Sequence, residues 1–129
     1  MKKSTEDWIV FAKSDLKAAE LLIQDDTLTN IIAYHSQQVI EKSFKAILEE
    51  FESTSLKTHN LLLLFNKIRN FINFEVDLNA LEKINEVYLD SRYPSEIGLL
   101  PYGQPSTKDT IEFVNFAKEI LSNTIILLK

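Results

Sequence analysis

IIAYHSQQVIEKSFKAIL, residues 31–48, contains neither glycine nor proline and carries two different stripes at the helical spacing of about 100° per residue. Ile32, Ser36, Val39, Ile40, Ser43 and Ile47 recur at steps of three and four, so they share one face that can be buried against other helices. On the other side Tyr34, Gln38, Glu41 and Lys45 step by four, three and four and stack their hydrogen-bonding groups in one line. The simpler reading of that line is a solvated face with a weak Glu41–Lys45 pair. The sharper reading is a polar groove or a self-pairing surface.

Outward from this helix the breakers are confined to one place. Both glycines and all three prolines fall between Pro94 and Pro105, so the long stretches on either side lack the strongest helix breakers and the chain is expected to be all-α. At 129 residues it is expected to form one domain, residues 1–129, around a single core. There is no cysteine, which excludes disulfides, thiolate metal sites and thiol catalysis. Fourteen basic against nineteen acidic residues leave a net charge of −5, which is no footprint for broad nucleic-acid binding. No uninterrupted apolar run is longer than that of Leu61 to Phe65, far shorter than the ~20 residues of a membrane span. In the first twenty residues charge interrupts the apolar positions every few residues, unlike a secretory leader, so a cytoplasmic protein is expected.

Taken in order, Ser4 with Asp7 resembles a capping box for a first helix running to about Ile23. Trp8, Phe11, Ala12, Ala19 and Leu22 form its apolar stripe, and Asp15 falls within it. A buried carboxylate needs a partner. Arg92 is the first choice, Lys42 or Tyr88 the next. The second helix is expected from about Leu28 to Phe51. Thr58, His59 and Asn60 then offer starting side chains for a short third helix with Leu61, Leu64, Phe65 and Ile68 on one face. A fourth, from about Leu78 to Ser91, points Leu78, Leu81, Ile84 and Tyr88 inward with Asn85 and Arg92 on the same side. Pro94 ends it. After the loop to Pro105, Ser106 and Asp109 offer a second capping box for a last helix through Ile111, Val114, Ala117, Ile120, Leu121, Thr124 and Leu128.

Four pieces of this chain resemble the HEPN (higher eukaryotes and prokaryotes nucleotide-binding) domain in its small stand-alone form. They are Ala12-x-x-Asp15-Leu16-x-x-Ala19, Gln38-x-x-Glu41-Lys42-x-x-Lys45, Thr58-His59-Asn60-Leu61 and Tyr88-x-x-Ser91-Arg92-Tyr93-Pro94. The resemblance implies an antiparallel bundle of four long helices plus one short helix, commonly a homodimer. The family is associated with nucleotide binding and RNA processing, and members often pair with a minimal nucleotidyltransferase as toxin and antitoxin. Ribonuclease members carry an Arg followed, after four to six residues, by a His. That order is absent, since His35 and His59 precede both arginines, Arg69 and Arg92. The expectation is therefore a non-catalytic binding module, with an RNA-cleaving protein using Arg92, Tyr93 and His59, or a purely structural dimer, as the alternatives.

The ligand site is expected around Arg92, Tyr93 and the Pro94 to Pro105 loop, with Asn85 and Asp15 behind. A planar guanidinium suits a phosphate. His59 is a lesser candidate, serving capping and packing or anion contact at a helix start. His35, at the edge of the long helix, is expected to be a partly exposed structural side chain. Neither histidine has a third residue at metal-ligand spacing, and Gly98 and Gly103 match no phosphate-loop pattern, so no metal and no cofactor are expected.

Overall fold

Five helices form where the breakers are missing: α1 (Lys3–Leu22), α2 (Thr29–Glu52), α3 (Leu61–Ile68), α4 (Leu78–Arg92) and α5 (Thr107–Leu128). The computed structural model describes residues 1–92 and 104–129, with the backbone alone for 88–92. Among these residues there is no strand, so the architecture is the expected one of four long helices and a short one. No described helix is long and apolar enough to cross a membrane.

α2 is the axis on which α1, α3, α4 and α5 all pack. Its Ile32, Val39, Ile40, Phe44, Ala46, Ile47 and Leu48 point in several directions and are all buried. Burying each of the larger side chains contributes about 1.5–3 kcal/mol. Ser36 and Ser43 are buried without penalty, because their hydroxyls donate to the carbonyls of Ile32 and Val39 one turn back, at 2.9 and 2.7 Å.

α1 runs antiparallel to α2: Thr5 bonds Glu50 at one end, and Asp15 meets Lys42 and His35 further along. The Ser4 capping box does not form. α1 starts at Lys3, and Ser4 donates instead to Glu49 at 2.8 Å. The cap comes from α2: Glu50 accepts from the Lys2 backbone N–H and from the Thr5 hydroxyl, both at 2.9 Å, placing a carboxylate at the positive end of α1. In return the Lys2 ammonium donates to the Glu49 carbonyl at the end of α2, where Ser53 turns left-handed with φ of 52°.

Three outward positions correct the sequence reading. Phe11, Leu78 and Ile111 are exposed, while Ile9, Val87 and Phe113 take the buried places. Each of the three sits at the margin of its apolar stripe, and the partner helix meets the stripe on the other margin. The short α3 begins as expected, with the Asn60 side chain accepting from the backbone N–H of Leu62 and Leu63 at 3.0 and 3.3 Å. Asn60→Ala should lower unfolding free energy by about 1 kcal/mol in urea titrations, as loss of a cap does; an unchanged midpoint would mean α3 starts without it.

α5 opens on the expected reciprocal box between Ser106 and Asp109. Burial pushes the Asp109 carboxyl up, but the Ser106 backbone N–H and the Lys83 ammonium at 3.0 Å outweigh it and hold the carboxyl below its ordinary range. A depressed value in the fold means that this contribution is present above the unfolded value and is lost as pH falls through the folded one.

Candidate functional site

The α1–α2 packing brings Asp15 onto the seam beside two α2 side chains seven residues apart. One Asp15 oxygen lies 2.8 Å from His35 Nδ1 and the other 2.5 Å from Lys42 Nζ. An ionised carboxylate only accepts, so Nδ1 of His35 is the donor in this contact. The ring of Phe11 lies 5.8 Å from Lys42 Nζ, and Tyr34 meets His35 edge-on at 5.4 Å. Asp15 is thus paired, but with Lys42, the second choice, and with His35. The side chains of Arg92 and Tyr88 lie outside the described residues.

Glu41, next to Lys42 along α2, repeats this pattern. Its Oε2 lies 3.0 Å from Lys45 Nζ and its Oε1 lies 3.0 Å from His59 Nδ1. Gln37 and Gln38 also direct their amide N–H groups at Oε1, at 3.4 and 3.3 Å, and Gln37 donates to the His59 carbonyl at 3.0 Å. Trp8 of α1 covers Lys45, with its ring 5.5 Å from Nζ. Each carboxylate therefore joins one lysine to one histidine, and each triad is neutral overall while its histidine is uncharged. Protonating either histidine adds one net positive charge.

The solvated polar line read from the sequence is overturned. Gln38, Glu41 and Lys45 are only 7%, 3% and 7% exposed, covered by the chain's own residues, and Tyr34 alone of the four reaches the surface. The physical reason is that four helices pack on α2, so Gln38, Glu41 and Lys45 are satisfied inside instead of by water. Gln37, fully buried, escapes the sequence reading, although its four-residue spacing from Glu41 is the available signal.

Asn85 serves the local structure. Its side-chain oxygen accepts from the Leu61 backbone N–H at 2.9 Å, and its amide donates to Asn60 at 3.4 Å, tying the start of α3 to α4. Arg92 closes α4, while Tyr93 and most of the Pro94 to Pro105 loop lie outside the described residues. Among the described residues no three side chains of metal-ligating type come together.

Residues 5–125 match the HEPN domain. No curated protein matches the sequence. Two solved structures share the fold. TT1696 from Thermus thermophilus is 17% identical, with 98% of this chain and 99% of that one covered at a TM-score of 0.79. ST0689, described as an archaeal HEPN homologue, is 24% identical, with both chains covered completely at a TM-score of 0.70.

Proposed function

The chain belongs to the HEPN domain family, and from that premise we propose that it is a non-catalytic binding module: a cytoplasmic homodimer that takes a nucleotide or docks a minimal nucleotidyltransferase, in the manner of a toxin–antitoxin pair. The observation that carries this reading is the engagement of both histidines. Each holds Nδ1 against a carboxylate that already neutralises a lysine, so the two histidines help to tie α1 and the 53–60 connection to α2. The order of arginines and histidines along the chain, which leaves out the family's ribonuclease motif, points the same way. Dimerisation is supported by the exposed Val10, Phe11 and Leu21 on α1 and Ile31 on α2, more apolar surface than the packed bundle itself uses.

Arg92 and Tyr93 are the phosphate contacts in this reading. Asp15 and Asn85, whose polar atoms bond His35, Lys42, Leu61 and Asn60, support the helices around them. Calorimetric titration with nucleoside mono-, di- and triphosphates should show binding that Arg92→Gln abolishes while the melting temperature stays nearly unchanged. Sedimentation at micromolar concentration should give a dimer, and total RNA incubated with the protein should remain intact. Cleavage that disappears in Arg92→Ala would replace the binding module with an enzyme; a strictly monomeric mass would remove the dimer.

A further inference from the structure

The turn between α3 and α4 leaves a shallow, open pocket of about 490 Å³, within the size range of small-molecule sites. Its walls are Phe65 of α3, Ile72, Phe74 and Val76 of the turn, and Leu78, the first residue of α4. None of these five apolar side chains is fully buried. Four of them, all but Leu78, lay one side on the core and leave the other toward the concavity, where water gains nothing from them. An apolar body filling the pocket would remove that surface from solvent.

One cation borders the same space. Arg69 follows α3 directly, and its guanidinium makes a long 3.4 Å bond to the neutral amide of Asn66. None of the ion pairs among the described residues includes it. A guanidinium carries five N–H donors in a planar fork that matches the two oxygens of a carboxylate. Glu75 lines the pocket as well, and its negative charge selects against a doubly charged phosphate while tolerating a single charge held by Arg69.

We propose that this pocket binds a small monocarboxylate with an apolar body, of the size of phenylacetate or hexanoate, its carboxylate held by Arg69 and its body by Phe65, Phe74 and Leu78. The site shares no residue with the Arg92 region, so it goes beyond the nucleotide reading and either can fail while the other stands.

The test is an amide-resolved NMR titration of the full chain with phenylacetate, its uncharged analogue phenylacetamide, and benzyl phosphate. Phenylacetate should shift the amides of residues 65–78 with a dissociation constant of roughly 1 mM, as expected for a ligand of few atoms in an open site. Phenylacetamide and benzyl phosphate should each bind about tenfold more weakly. Arg69→Gln should make the acid and the amide equal, and Leu78→Asn should weaken both, each with the rest of the spectrum unchanged. Equal binding of acid and amide to the parent, preferred binding of the phosphate, or no shift in residues 65–78 at roughly ten times that concentration would each overturn the proposal.

Discussion

Glu41→Ala should lower the free energy of unfolding by about 3–5 kcal/mol, because it leaves the Lys45 ammonium buried with no carboxylate beside it. The two side chains are 4% and 8% exposed, so water cannot take over the lost role without opening the helix packing. The amides of Gln37 and Gln38 and the ring of His59 lose the same acceptor, which keeps the loss toward the upper end of that range. Urea unfolding followed by circular dichroism measures it. The paired replacement of Glu41 by Leu and Lys45 by Met should recover the part of the loss that comes from the stranded ammonium, since it removes both charges and keeps the volume, but not the part from Gln37, Gln38 and His59. A single-variant loss below about 1 kcal/mol, the range of solvated ion pairs, would mean that Lys45 reaches water.

Asp15→Ala is the second large effect, and the smaller of the two. Lys42 is 21% exposed and the carboxylate 11%, and Phe11 leaves one side of the ammonium near solvent, so part of the stranded charge can turn outward along its flexible stem. A loss of about 2–4 kcal/mol is expected on that account. Lys42→Met placed on top of it should return stability, whereas Arg92→Met should not, and the comparison tells directly which cation Asp15 serves. A loss below about 1 kcal/mol would show a solvated carboxylate and a misplaced α1 stripe.

The helices were legible because their breakers are so few: with glycine and proline confined to residues 94–105, the element order and the Asn60 and Ser106 starts followed from local chemistry. Which margin of a stripe turns inward was not legible for Phe11, Leu78 and Ile111, since a period of about 100° fixes a face without saying where the neighbouring helix lies. The same gap hid the two triads. Asp15 lies 20 residues from His35 and Glu41 lies 18 residues from His59, so their pairing arises only when α1 and the 53–60 connection fold back on α2. A polar helix side covered by its neighbours reads in sequence like one in water, because buried polar residues with good partners and exposed ones are the same letters.

Helix bundles that bind metals, haems or small molecules build those sites within the packed core, from side chains on facing helices. Here the other four helices pack on α2, and its buried polar side chains are already bonded to one another and to their neighbours. Among the described residues an open concavity lies on the outside, where the connection between α3 and α4 meets the helix ends, and affinity there has to come from a few well-aimed polar groups rather than from enclosure.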